Sequence, residues 1–291
     1  MARHFLTGEE LTTDELNGLV ARALELKQDR LRSRVLEGLS VALVFDKPST
    51  RTRVSFETGV FELGGRPLVL REGELQLSRG ESARDTALVL SRMVHAIAIR
   101  TGPQETVEEL AAYSDIPVIN MLTHDHHPCQ ALADLVTLRE RFGHLDGLKL
   151  AYVGDGNNVA RSLLIASRLA GVELAIATPP ELALPELASV PLDEAVSGAH
   201  AIYTDVWVSM GDEAEAERKR ELLDPFRLDE GLLAKARDDA IALHCLPAHP
   251  GEEISEGVLY GERSAIWDQA ENRLHAQKAL LELLFSTLPP Q

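Results

Sequence analysis

The segment Phe45-Asp46-Lys47-Pro48-Ser49-Thr50-Arg51-Thr52-Arg53 gathers the hydroxyls of Ser49, Thr50 and Thr52 with the cations of Lys47, Arg51 and Arg53. A β-branched apolar run, Val41 to Phe45, leads into it, and a helical pattern of Val54, Phe56, Val60, Phe61 and Leu63 follows. Strand, turn and helix start are expected in that order. The turn is furnished for an oxyanion. Ser and Thr are good helix caps, and the orphan N–H groups of the first turn point at whatever sits there. The macrodipole adds partial positive charge at the same place. Guanidinium forks match phosphate oxygens in geometry. The plain alternative is a capped helix with solvated basic residues. A cationic cluster in a chain of formal net charge −17 favours the binding role.

Further polar clusters share one placement, just after the C-terminal end of an expected strand. That edge is where open α/β sheets bind ligands. Arg100-Thr101 follows Ala96 to Ile99, and an arginine there is either a surface residue or the completion of an anion site. His127-Pro128-Cys129-Gln130 precedes a long helix and can present an imidazole and an amide to one ligand, with Pro128 fixing the backbone. His124, His126 and His127 do not read as a metal site, because no cysteine or carboxylate spacing completes a tetrahedral set. Gly154-Asp155-Gly156-Asn157-Asn158 lacks the third glycine of the dinucleotide fingerprint. Asn158 suits hydrogen bonding to a carboxylate or amine, and a turn held by Asx hydrogen bonds is an equal reading. Asp205, in Thr204-Asp205-Val206-Trp207, ends a strand and can face an ammonium, while Ser209-Met210-Gly211 offers backbone groups. In His244-Cys245-Leu246-Pro247-Ala248-His249, Cys245 is either a small buried hydrophobe or a site residue. A thiolate nucleophile is disfavoured, because His244 projects to the other side of the strand.

The elements that must carry these clusters alternate strand and helix throughout, the pattern of α/β architecture with mostly parallel sheets. Helices are expected at 9–26, from 50 onward, and at 81–93, 106–113, 131–142, 159–170 and 270–285. Strands are expected at 41–45, 67–70, 96–99, 117–120, 148–153, 174–177, 201–206 and 240–244. The series restarts at Leu148 after Gly143 to Gly147, so two doubly wound α/β domains are expected. The first would span 1–135, with a C-terminal helix, 270–291, packing back on it; the second would span 136–269. The run Asp212 to Glu221 has few apolar residues and reads as a surface loop or an exposed helix start.

Composition narrows the function classes. With 45% hydrophobic and 26% charged residues over 291 positions, the chain is ordinary for a globular protein and unlike a disordered one. Its acidity argues against nucleic acid as a partner. No apolar run approaches membrane-spanning length, and Met1-Ala2-Arg3-His4-Phe5-Leu6 lacks the layout of a signal peptide. Two cysteines, Cys129 and Cys245, argue against a disulfide framework and point to a cytoplasmic setting.

Taken in order along the chain, these motifs resemble those of the transcarbamoylase family, essentially end to end. Ser49-Thr50-Arg51-Thr52-Arg53 and His127-Pro128-Cys129-Gln130 are similar to the family's carbamoyl phosphate motifs. Asp205 with Ser209-Met210-Gly211, and His244-Cys245-Leu246-Pro247, resemble the motifs of its ornithine-specific branch. Pro250 departs from the basic residue expected after His249 in many bacterial members. The resemblance implies two α/β domains with the active site in the interdomain cleft, assembled as a homotrimer or a multiple of it. It implies carbamoyl phosphate bound by Ser49, Thr50, Arg51, Thr52, Arg100, His127, Pro128, Cys129, Gln130, Cys245, Leu246 and Arg273, with Gln76 reaching a neighbouring subunit's site. L-ornithine would contact Asn158, Asp205, Ser209 and Met210. Arg51, Arg100, His127 and Cys245 would be the catalytic residues, and no metal or organic cofactor is required.

The implied reaction moves a carbamoyl group from phosphate to an amine, giving citrulline and phosphate in arginine metabolism. Several rivals compete with it. An aspartate-specific relative would want an added cation where this chain offers Asp205. Acetylated-ornithine and putrescine relatives fit the Ser-Met-Gly segment less well, since that segment suits a free amino acid head group. A non-catalytic phosphometabolite binder would be expected to lose Arg51, Arg100 or Cys245. A nucleotide-dependent oxidoreductase would need the missing glycine fingerprint.

Overall fold

The computed structural model describes residues 2–74, 80–186, 188–208 and 213–286. The chain divides into two compact units, Met1–Val136 with Glu271–Gln291, and Thr137–Ala270.

In the first unit, α1 (Thr13–Gln28) is followed by β1 (Ser40–Phe45), α2 (Thr50–Glu62), β2 (Arg66–Arg71), α3 (Ala83–Leu90), β3 (Ala96–Arg100), α4 (Gln104–Ala112), β4 (Val118–Leu122) and α5 (Pro128–Phe142). Apolar periodicity predicts an earlier start for α1. Thr12, on extended backbone, forms a reciprocal capping box with Glu15 and sets the start there instead. The strands form one parallel sheet in the order β2-β1-β3-β4. β1 and β3 are central and buried along nearly their whole length, which is why they read as continuous apolar runs without alternation. On one face Ala42, Val44, Ile97 and Ile99 pack with Ala87 of α3 and with Val107 and Leu110 of α4. Because β2 and β3 lie on opposite sides of β1, the sheet has its switch point between β1 and β3, and a crevice opens at their C-terminal ends. Phe45 pairs with Arg100 there. Beyond that pair, Asp46 N donates to Arg100 O (2.9 Å) and Thr101 Oγ1 donates to Asp46 Oδ2 (3.0 Å).

The second unit repeats the plan with β5 (Lys149–Val153), α6 (Asn158–Ala170), β6 (Glu173–Ala177), α7 (Leu192–Val196), β7 (Ala201–Thr204), α8 (Ala216–Leu223), α9 (Glu230–Leu233), β8 (Ile241–His244) and α10 (Glu256–Leu259). Its parallel sheet runs β6-β5-β7-β8, so the switch point lies between β5 and β7. One face buries Ala151, Val153, Ile202 and Ala242 under Val196, Leu232, Leu233 and Val258. Strand β7 stops at Thr204, short of the Val206 that its apolar character predicts. The Asp205 carboxylate takes the Val206 N–H at 2.8 Å, which removes that donor from the sheet ladder. The acidic-basic run after residue 212 is helical from Glu213 to Leu223.

The last helix, α11 (Ile266–Ser286), starts before the periodicity predicts. From Glu271 onward it belongs to the first unit. Fully buried Lys278 donates to Glu62 Oε2 (2.8 Å) and to the carbonyl of Arg30, and Glu62 also receives the Arg30 guanidinium. A Cβ at Gly59 of α2 would lie 3.2 Å from Lys278 Cγ and 3.4 Å from Leu274 Cδ1. Glycine there is what lets α2 approach α11 so closely. This packing positions Arg273.

Candidate functional site

In the first unit, Ser49 caps α2 from extended backbone; its Oγ accepts the Thr52 N–H (3.4 Å) and donates to Thr52 Oγ1 (3.0 Å). Thr52 is buried, and its Oγ1 also accepts from Arg273 Nη2 at 2.7 Å. Arg273 Nη1 donates to Gln130 Oε1 (3.0 Å), and Gln130 Nε2 donates to Asp134 Oδ1 (2.8 Å). A continuous buried chain thus ties the cap of α2, the first turn of α5 and α11 together. Thr50 is exposed and Arg51 half-buried. Arg53 leaves the cluster by pairing with Glu57 one turn along α2 (2.9 Å).

Arg100 ends β3 beside a register shift, where Ile99 pairs with Asn120 but Arg100 with Leu122. Such a bulge re-aims a side chain at a strand end. His127 is buried, and its imidazole is held well below its usual range by burial first, then by Arg273, Arg100 and Arg51. Those guanidiniums converge on a neutral ring. Pro128 opens α5 at a position where a missing N–H costs nothing. Cys129 is turned into the core, its Sγ donating to Asn120 O (3.3 Å), and burial pushes its thiol up to about 12. Its part in the motif is packing. Lys47 Nζ and His124 Nε2 are 3.0 Å apart, and a Cβ at Gly102 would lie 2.9 Å from the His124 ring.

In the second unit, Asn157 caps α6: its Oδ1 accepts from Val159 N (2.9 Å) and Ala160 N (3.2 Å). Its Nδ2 donates to Asp205 Oδ2 at 2.8 Å. Asp205 Oδ1 in turn accepts from Val206 N and from Cys245 Sγ, both at 2.8 Å. The hydroxyl of Tyr152 lies 2.8 Å from Asp155 O and 3.2 Å from Asn157 Oδ1. Burial, followed by Asp205, Asp155 and Cys245, raises its pKa well above the usual phenol range, so it stays a donor. Asn158 begins α6 half-buried. Cys245 is partly buried and makes no disulfide. The neighbouring His244 ring accepts from Leu246 N at Nδ1 (2.8 Å) and faces Glu253 through Nε2 (3.2 Å), so it does not serve the thiol as a base. Leu246 adopts φ +60°, a left-handed state unusual for a branched side chain.

Within each unit the structure therefore brings residues from separate elements together on the C-terminal side of the sheet. Ser49, Thr52, Arg51, Arg100, His127, Gln130 and Arg273 gather in the first unit, and Asp205 and Cys245 in the second. Gln76, Ser209 and Met210 lie outside the described residues. Sequence reasoning overlooked Asn157, although a helix-capping rule applied to the residue before α6 points to it. It also overlooked Tyr152 and the ion pair of Lys219 with Asp155 (2.8 Å), which carry no local signal.

The sequence matches the family described as aspartate/ornithine carbamoyltransferase, carbamoyl-P binding domain, over residues 3–140. Residues 146–284 match aspartate/ornithine carbamoyltransferase, Asp/Orn binding domain. The chain is 51% identical to an ornithine carbamoyltransferase of Acidothermus cellulolyticus, covering 98% of this chain and 97% of that protein. Among solved structures, the ornithine carbamoyltransferase of Pyrococcus furiosus superposes with a TM-score of 0.94 at 44% identity, covering 99% of this chain and 98% of that one. That of Thermus thermophilus gives 0.91 at 41% identity, covering 98% and 99% respectively.

Proposed function

The chain belongs to the aspartate/ornithine carbamoyltransferase family and has ornithine carbamoyltransferase activity, and we propose how its residues divide that work. The first unit binds carbamoyl phosphate and the second binds L-ornithine. The observation that carries the reading is the convergence of Arg51, Arg100 and Arg273 on buried, neutral His127. That set suits a phosphate dianion carrying a carbonyl. The guanidiniums and the α2 N-terminus hold the phosphate. Thr52, Arg100 and His127 polarise the carbonyl oxygen as it gains charge.

The δ-amine of ornithine attacks the carbonyl carbon, the carbon–oxygen bond to phosphate breaks, and the departing phosphate takes the amine proton. Citrulline and inorganic phosphate result. An alkylamine with a lysine-like pKa of about 10.4 is neutral in roughly one molecule in two thousand at pH 7, a deficit of about 4–5 kcal/mol. Desolvation and placement beside the carbonyl recover it. Asp205 receives the ornithine ammonium, Asn158 and the Ser209-Met210 segment hold the head group, and Cys245 and Leu246 line the reacting end. Asp205 favours ornithine over aspartate, whose second carboxylate it would repel.

Assembly as a homotrimer or a multiple of it completes the site with Gln76 from a neighbour. Val54 and Phe61, seven residues apart on one face of α2, are 57% and 70% exposed, and Met93 beyond α3 is 70% exposed. Such an apolar face on the first unit supports association. Purified protein is expected to form citrulline from ornithine and carbamoyl phosphate. Turnover of aspartate in place of ornithine would overturn the acceptor assignment.

A further inference from the structure

We propose that Glu253 is a positioning residue for the reaction, acting on Cys245 and Leu246 through both ends of the 244–249 loop. The inference rests on the reading that Cys245 and Leu246 line the reacting end. Glu253 is fully buried, lies four residues past His249 in the chain, and its Oε1 receives two donors. One is the His244 ring, Nε2 at 3.2 Å; the other is the backbone N–H of His249 at 2.5 Å. Since His244 Nδ1 accepts from Leu246 N, the ring proton sits on Nε2 and is given to the carboxylate. The backbone N–H of His244 is held separately by Gln269 Oε1 (2.8 Å).

The loop is therefore tied at its start, at its turn and at its end, with Glu253 common to two of the three ties. Between them stand Cys245, whose thiol reaches Asp205, and Leu246 at φ +60°. A left-handed branched residue persists only where its surroundings over-determine it. Ile254, next to Glu253 in the chain, and Leu228, which bonds its carbonyl, belong to the hydrophobic core of this unit. A buried carboxylate is costly and is retained where its hydrogen bonds matter. Glu253 is itself placed by the Leu228 N–H on its carbonyl (2.9 Å).

The test uses the full-length enzyme and the variants Glu253→Leu, Glu253→Gln and Cys245→Ala. Glu253→Leu is expected to lower kcat/KM for ornithine by about tenfold or more, the scale of losing hydrogen bonds to a charged acceptor. Carbamoyl phosphate affinity, measured by calorimetry, should stay within about twofold of wild type, which general unfolding would not allow. Glu253→Gln retains an oxygen for both donors and should recover most of the loss. Iodoacetamide should modify Cys245 in Glu253→Leu at a rate altered from wild type, with buried Cys129 as the internal control. Wild-type ornithine kinetics in Glu253→Leu, or equal damage to both substrates in Glu253→Gln, would overturn the proposal. Wild-type kinetics in Cys245→Ala would instead remove the reading on which it rests.

Discussion

Replacing Asn157 with aspartate separates the two jobs its side chain performs. Oδ1 caps α6 through Val159 N and Ala160 N, and Nδ2 donates to Asp205 Oδ2 at 2.8 Å. Asn157→Asp keeps the acceptor and places negative charge at a helix N-terminus, where it is favourable. The donor, however, becomes an oxygen facing a carboxylate. Losing a hydrogen bond to a charged group costs about 1.5–3 kcal/mol. Two unit charges 4 Å apart at an effective dielectric of 20 repel by roughly 4 kcal/mol, so the pair shares a proton instead of ionising twice. Asp205 then loses its full charge or its orientation. The ornithine KM is expected to rise about 10- to 100-fold with carbamoyl phosphate affinity nearly unchanged, and thermal stability should fall as pH rises, because the shared proton is a carboxylate held above its unfolded pKa. The defect relative to wild type should shrink as pH falls from about 8 to about 6, because the shared proton restores a donor toward Asp205. Asn157→Ala should show a similar KM and also lose about 1 kcal/mol of stability with the cap. Steady-state kinetics with both substrates and thermal unfolding check each part. A wild-type ornithine KM in Asn157→Asp would refute the reasoning.

Arg51→Ala is expected to abolish measurable carbamoyl phosphate binding in calorimetry while the protein stays folded, because it removes one of the cations around His127; unchanged affinity would contradict the donor site. His127, lowered by burial and by Arg273, Arg100 and Arg51, should remain neutral by NMR from about pH 8 to about pH 6. The sign is that of a depressed histidine: protonating it costs stability only as pH falls below the unfolded value of about 6.5, so a native titration midpoint near that value would refute the geometry. Lys278→Met should destabilise the protein by about 3 kcal/mol in urea unfolding, the low end for breaking a buried pair, since Arg30 stays on Glu62. A loss under about 1 kcal/mol would show the pair to be dispensable.

The alternation of strand and helix was legible in the chain because central parallel strands such as β1 and β3 are buried on both faces and so become unbroken apolar runs. The helix start at Ser49 was legible for an equally local reason, since a cap, its partner N–H and the following turn lie within a few residues. Errors came where a side chain competed with the ladder or an upstream cap intervened, as at Asp205 and Thr12. What the chain order could not state is which strand ends become neighbours. That depends on the sheet orders β2-β1-β3-β4 and β6-β5-β7-β8, set by packing of whole elements.

From the sequence come the ingredients of the opening segment: hydroxyls, guanidiniums and a helix to aim them. Tertiary structure decided which of them work together. Arg53 was diverted to Glu57, while Arg273, more than two hundred residues away in the chain, took its place on Thr52. The same holds for Asp205, fixed from opposite sides by Asn157 and Cys245. Capping and periodicity are short-range effects written in neighbouring residues, whereas the charge state of His127 and the orientation of Asp205 arise only when burial removes water and distant groups meet.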